Sequence, residues 1–213
     1  MAEPRELTEK DLHNWNLLER FQQELAQVLS KTRLHRTFAD PERQLGCASY
    51  LSLFLFGLFN PVVESMRGLC AISQLKKVQQ TVGCGKVSLG SFSEIQHALD
   101  PDLLKQVFER LSQQVESGPK ADARLGHLEL IAQDGSLWRA LPRMMWADYG
   151  VGPNGQAKGV RLHLRFNILK DCPSDGLVQV GQSCETQALR EMLVPGQTSV
   201  GDRYYGKDSP LQE

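Results

Sequence analysis

The stretch that decides the fold is KGVRLHLRFNIL, residues 158–169, where apolar and polar side chains alternate without exception from Val160 to Ile168. The apolar set consists of Val160, Leu162, Leu164, Phe166 and Ile168, and the polar set of Arg161, His163, Arg165 and Asn167. Alternation with a period of two is typical of a β-strand that has one face in the core and one in water. We therefore predict a half-buried, antiparallel strand whose polar set, including His163, faces solvent.

Three further strands are predicted around this one. They are HLELIAQ (127–133), which is a short, mostly apolar run, GLVQVGQ (176–182), and TSVGD (198–202), which is a brief strand. The segment ETQALREML (185–193) reads as a helix that Pro195 and Gly196 end. The second part of the chain is thus expected to run strand, strand, strand, helix, strand.

The chain before residue 120 has helical spacing instead. Residues 9–36 and 61–80 repeat apolar side chains at three- and four-residue steps, and Pro61 is expected to be the first residue of the second helix. The run LGCASYLSLFLFGLF (45–59) is shorter than the roughly 20 apolar residues that cross a bilayer. It contains Ser49, Tyr50 and Ser52, so a buried helix is favoured over a membrane span.

Two helix starts are predicted from capping residues. Ser91 and Glu94 fit a capping box for the helix SEIQHAL. Asp100 followed by Pro101 fits the start of a longer helix. The sequence therefore predicts an α+β or α/β fold in which a helical region, residues 1–120, precedes a sheet region, residues 121–213.

The amino-acid composition says little about which partners the protein binds. Lys and Arg number 24 against 25 Asp and Glu, so nucleic-acid binding would have to rest on local clusters. The five cysteines are scattered and form no CxxC pair, which favours reduced thiols in the cytosol over a structural metal site.

Two aspartates are the candidates for chemistry, because each follows an apolar strand beside a glycine: Asp134 in LIAQDGS and Asp202 in TSVGDR. If the first and fourth strands are neighbours, both carboxylates point into one cleft. Carboxylates about 4 Å apart repel by roughly 4 kcal/mol at an effective dielectric near 20. Such a pair needs a shared proton or cations to hold it together, and oxygen-only ligands at the end of a sheet suit Mg²⁺ or Mn²⁺. Aspartates that merely cap strands or begin turns give the same pattern.

A basic segment lies between the two aspartates. It contains Arg139, Arg143, Lys158, Arg161, Arg165 and Lys170, is opposed only by Asp148, and is interleaved with Trp138, Trp146, Tyr149 and Phe166. Cations and aromatic rings together suit a phosphate backbone and unstacked bases. A solvated strand face with its loop would look the same.

Four blocks, in this order, resemble DDE transposases of bacterial insertion sequences, in the insertion-sequence-four group. They are SLGSFSEIQHALDPDLLKQVFERL (88–111), LELIAQDGSLWRALPRMMWADY (128–149), KGVRLHLRFNIL (158–169) and VGDRYYG (200–206). The resemblance implies a helical N-terminal domain followed by the first half of an RNase H-like mixed sheet. It also implies that Asp134 and Asp202 are the first two metal ligands, with two Mg²⁺ or Mn²⁺ ions in the complete enzyme.

The function that the resemblance implies is metal-dependent DNA cleavage and strand transfer at transposon ends, in the bacterial cytoplasm. The expected partners are transposon-end and target DNA, and a second copy or a full-length transposase. The sequence departs from the family in having DRYY where DRGY is usual, and no residue here is assigned as the third carboxylate. We therefore expect a chain that stops before that glutamate and is inactive alone. A DNA- or partner-binding regulatory fragment, or a decayed gene product, is the alternative.

Overall fold

The computed structural model describes residues 7–39, 45–115, 129–141, 144, 147–152, 155–182 and 185–201. The chain divides into two compact units, Met1–Val107 and Phe108–Glu213. Helices fill the first unit and a mixed sheet with one further helix characterises the second, so the predicted α+β content is confirmed. The domain boundary predicted near residue 120 falls within 116–128, outside the described residues, and stays a prediction.

The first unit is built from short helices. The helices are α1 (Leu17–Leu29), α2 (Cys47–Leu58), α3 (Met66–Ile72), α4 (Lys76–Val82), α5 (Leu89–Ile95) and α6 (Asp102–Gln113), the last of which spans the division between the units. Single 3₁₀ turns cover Glu9–Asp11 and Arg36–Ala39.

The helix predicted over 9–36 is wrong in extent, since α1 covers only its middle. Asn14 adopts a left-handed backbone with φ of 59°, which interrupts the helix. Its side-chain Nδ2 donates to the Phe59 carbonyl at 2.9 Å, and the backbone N–H of His13 donates to Asn60 Oδ1 at 2.7 Å. Residues 12–16 are thus held by long-range hydrogen bonds that local spacing does not reveal.

The helix predicted over 61–80 is also wrong, because two helices stand there. Pro61 does not begin the first of them: α3 starts after Ser65, whose Oγ accepts from the Gly68 N–H at 3.2 Å. Buried Ser73 follows α3 and its Oγ accepts from the Val87 N–H at 2.9 Å. This tertiary contact fixes the break between α3 and α4.

The two predicted caps differ in outcome. The cap of α5 is Ser88, whose Oγ accepts from the Ser91 N–H at 3.1 Å, so assigning the cap to Ser91 was wrong by three residues. At α6 the predicted cap is confirmed, since Asp100 Oδ1 accepts from the Asp102 N–H at 3.0 Å.

The core of the first unit centres on α2, and the prediction of a buried helix there is confirmed. Leu51, Leu53 and Phe56 are almost fully buried. The Phe56 ring meets Trp15 at a centroid distance of 4.9 Å, and Tyr50 meets Phe92 at 4.7 Å. In the part of the chain that the structure describes, no helix has the length and apolar content to cross a bilayer.

The second unit is a mixed sheet. Its strands are β1 (Glu129–Arg139), β2 (Asp148–Gly152), β3 (Gly155–Asn167), β4 (Cys172–Val180) and β5 (Gln197–Val200), and α7 (Glu185–Met192) connects the last two. β3 pairs antiparallel with β1 and β4, and β5 lies parallel to β1 on its other edge. β2 pairs with the start of β3. β1 continues past the predicted end at residue 133, so Asp134 lies inside the strand rather than after it.

The prediction of which face of β3 is buried was wrong. His163, Arg165 and Asn167 of the polar set are buried, whereas Ile168 of the apolar set is 43% exposed. Helix α7 explains this reversal, because it packs on the polar side of β3 and buries its own Ala188 and Met192 there. Gln133 Nε2 donates to Met192 Sδ at 3.5 Å, and Gln179 Nε2 donates to Glu191 Oε2 at 3.2 Å. We call this side of the sheet the covered face.

Candidate metal and nucleic-acid site

Asp134 lies on the other side of the sheet, which we call the open face. Directly paired residues of antiparallel strands share a face. The open face is therefore made by Asp134, Ser136 and Trp138 of β1, Val160, Leu162 and Leu164 of β3, and Gly176, Val178 and Val180 of β4. The Asp134 side chain is exposed and pairs across with Leu164. One predicted site residue thus stands on an accessible surface.

The two oxygens of the Asp134 carboxylate have different surroundings. Oδ1 accepts a hydrogen bond from the Gly135 N–H at 2.8 Å. Oδ2 makes no hydrogen bond with the described residues. Such an oxygen is the type of ligand that Mg²⁺ and Mn²⁺ take. Within the described ranges, no three His, Cys, Asp or Glu side chains come together as a metal-binding group.

The strand before the second aspartate lies beside β1. β5 pairs in parallel from Glu129 opposite Gln197 to Ala132 opposite Val200. The condition that the first strand and the last are neighbours is thereby met. Asp202 itself lies outside the described residues, as does Arg143 of the basic segment.

The basic residues of the segment do not form one surface. Arg139 is exposed at the end of β1, opposite Gly159, and half-buried Lys158 is next to it, its carbonyl accepting from the Ala140 N–H at 3.0 Å. Lys170 lies in the turn at the opposite end of β3, where its N–H donates to Asn167 Oδ1 at 2.9 Å. The other two, Arg161 and Arg165, alternate onto the covered face. Of these described basic residues, Lys158 alternates onto the open face, whereas Arg139, like Arg161, alternates onto the covered face.

Arg165 has a different role from the one predicted. It is 5% exposed, and its Nη2 donates to Gln197 Oε1, while Gln197 Nε2 donates to Glu129 Oε2 at 2.8 Å. This chain of hydrogen bonds links β3, β5 and β1. Arg165 also lines a cavity of about 360 Å³ together with Lys170 and Asp175. Its position indicates a part in holding β5 against the sheet rather than in meeting DNA.

His163 is the residue whose position the sequence described least well. It was expected as a hydrogen-bonded surface histidine, but it is fully buried and neither ring nitrogen has a hydrogen-bond partner among the described residues. Burial, followed by the positive charge of Arg161, lowers the pKa of His163 below its ordinary value of 6.5, and Glu191 acts in the opposite direction. The only feature of the sequence that could have drawn attention to His163 is its position between Arg161 and Arg165 on an alternating strand.

Comparisons of the chain with protein-family models, with curated proteins and with solved structures give no match. The open face with Asp134, the parallel pair β1 and β5, and the sequence blocks quoted above are therefore what bears on function.

Proposed function

We propose that this chain is a DDE-type transposase of bacterial insertion sequences, of the insertion-sequence-four group, which acts on DNA in the bacterial cytoplasm. Asp134 and Asp202 would hold Mg²⁺ or Mn²⁺, and the sheet would be the first half of an RNase H-like core. The substrate would be the phosphodiester at a transposon end, and the same site would join that end to target DNA.

The parallel register of β1 and β5 is the observation that carries this proposal. The last described pair is Ala132 with Val200. Asp134 and Asp202 each come two residues later in the sequence. Parallel strands advance at the same rate per residue. Equal offsets therefore support two carboxylates at one level of the sheet and on one face.

The sheet order gives further support. Three antiparallel strands stand in the order β4, β3, β1, and a strand reached through a helix lies parallel to β1. This arrangement is compatible with the first half of an RNase H-like sheet, in which the first strand supplies a metal-binding aspartate.

The residues present fit a divalent cation. Asp134 is exposed, and one of its oxygens makes no hydrogen bond with the described residues. Two carboxylates at one level repel, so they need a shared proton or a cation between them. When bound, such ions supply the positive charge that stabilises the attacking and leaving oxygens of a phosphodiester. The protein's own part is to hold two oxygen ligands on a rigid sheet and to present them on an accessible face.

The test is nicking of supercoiled plasmid DNA in Mg²⁺ and in Mn²⁺ by a chimera in which this chain replaces the corresponding part of a complete transposase of the same group, because no residue of this chain is assigned as the third carboxylate. We expect nicking by the chimera and a loss of at least about 100-fold when it carries Asp134→Asn, because the substitution removes an anionic ligand. Asp175→Asn is the matched control: Asp175 also precedes a glycine, and its Oδ1 accepts from the Gly176 N–H at 2.7 Å, but it pairs with Arg165 of the covered face. This control should nick DNA at the wild-type rate.

Two results would contradict the proposal. One is nicking that Asp134→Asn leaves unchanged, and the other is a chimera that binds DNA but does not nick it in either metal. The second result would favour a DNA-binding protein without cleavage activity.

A further inference from the structure

A cavity of about 360 Å³ lies on the covered face, at the end of the sheet where β1 and β5 begin. Its walls include Glu109, Ser112 and Gln113, which share one side of the part of α6 that belongs to the second unit. Ser112 Oγ donates to the Ser174 carbonyl at 3.5 Å, which joins this part of α6 to β4. Ligand pockets have volumes of about 300–1,000 Å³, so this cavity suits a small molecule rather than a peptide.

Arg165 brings a buried positive charge to this cavity. Its guanidinium has several N–H donors, but the bond from Nη2 to Gln197 Oε1 is the only hydrogen bond that it makes with the described residues, and its Nε is buried without a partner among them. Asp175 stands opposite Arg165 in the register of β3 and β4, yet the two side chains form no ion pair. A buried charge that lacks a counter-charge is strongly unfavourable. An anionic group in the cavity would supply that counter-charge.

The other charged residues of the cavity are of both signs. Half-buried Lys170 adds a second positive charge, and its ammonium group makes no hydrogen bond or ion pair with the described residues. Three carboxylates, those of Glu109, Glu129 and Asp175, line the remaining walls. The carboxylates would repel a ligand that carried only negative charge, and a ligand that carried only positive charge would leave Arg165 without a counter-charge. The charges therefore select a ligand that carries both.

We propose that this cavity binds a small zwitterion with a carboxylate and an ammonium group, of the chemical class of the free amino acids. The ligand carboxylate accepts hydrogen bonds from Arg165 and Lys170, which are charge-assisted and so among the strong ones. The ligand ammonium group donates to Asp175, whose Oδ2 makes no hydrogen bond with the described residues. The cavity and Asp134 lie on opposite faces of the sheet, so this inference does not depend on the proposed transposase function.

The experiment first measures the Tm of the full chain with each standard L-amino acid in turn, at about 10 mM. A ligand that binds only the folded chain raises the Tm once its concentration exceeds its Kd. We expect at least one amino acid to raise the Tm. The N-acetyl and the amide derivatives of that amino acid each lack one of the two charges, and each should bind at least about 10-fold more weakly than the parent amino acid.

Isothermal titration calorimetry with the amino acid that raises the Tm most then tests the two contacts. Lys170→Gln and Asp175→Asn should each raise its Kd at least about 10-fold, because each removes a charged partner. Asp171→Asn is the matched control, since Asp171 is exposed beside Lys170 and does not line the cavity. Asparagine also suits its left-handed backbone, with φ of 53°, so this variant should bind like the wild type. Far-UV circular dichroism confirms that each variant is folded.

The inference is overturned if no amino acid raises the Tm of the wild type. It is also overturned if acetate or inorganic phosphate raises the Tm as much as the amino acid does, because the cavity would then be a site for simple anions. Wild-type affinity in either Lys170→Gln or Asp175→Asn would overturn it as well. Since these measurements use neither DNA nor a metal ion, their outcome is separate from that of the plasmid-nicking test.

Discussion

His163 shows how one buried residue makes the stability of the sheet depend on pH. Its imidazole is enclosed on the covered face, without hydrogen bonds to the described residues, next to Arg161 on its own strand and to Glu191 on α7. Burial first, and then Arg161, lowers its pKa below 6.5, and Glu191 offsets part of that effect. The unfolded chain therefore binds a proton at a higher pH than the folded chain does. The contribution of neutral His163 to the free energy of unfolding is therefore fully present above pH 6.5. It is lost as the pH falls below 6.5.

Replacing His163 with Leu tests this consequence. Between pH 7.5 and 5.5 the free energy of unfolding should fall less in His163→Leu than in the wild type, because the variant has no buried group to protonate. At pH 7.5 the variant should be within about 1 kcal/mol of the wild type or more stable, since the ring nitrogens make no hydrogen bond that would be lost. Urea unfolding at several pH values measures both quantities. His97→Leu, at an exposed site in the helical unit, should keep the wild-type slope; an unchanged slope in His163→Leu would contradict the account.

At the scale of single elements, the sequence predicts which segments are helices and strands better than it predicts where they end. Strand β3 was recognised from alternation because its period of two is local. The face that it buries depends on α7, which lies beyond β4 in the chain, so local alternation could not determine it. The same holds for the start of α1, which depends on hydrogen bonds from His13 and Asn14 to residues 59 and 60.

Helix α2 offers a matched pair of phenylalanines for testing the helical core. Phe56 is fully buried, whereas Phe54 is 37% exposed and stacks only on Tyr50. Phe56→Ala should lower the free energy of unfolding by about 3–5 kcal/mol, because it leaves a cavity. Phe54→Ala should cost clearly less, because more than a third of that side chain is already in contact with water. Urea unfolding compares the two, and equal losses would show that α2 does not face the core as described.

At the scale of the whole molecule, part of the candidate site could be predicted from sequence. Asp134 was singled out because it comes at the end of an apolar run, but the sequence did not predict that β1 continues past it or that β1 and β5 are parallel neighbours. The basic residues of the predicted DNA-binding segment do not form one surface, because residues that are neighbours along β3 point to opposite faces. Arg165 is consequently buried on the covered face, whereas Lys158 lies on the open face. Sequence proximity could not distinguish between them.

The central claim is that Asp134 and Asp202 bind one metal site together, and Mn²⁺ titration followed by electron paramagnetic resonance tests it most directly. We predict that Asp134→Asn and Asp202→Asn each weaken Mn²⁺ binding by at least about 10-fold. The double variant should be little weaker than either single one, because residues that share a site are not additive. Asp175→Asn should bind Mn²⁺ like the wild type. Unchanged affinity in the single variants, or independent effects that multiply in the double variant, would contradict the claim.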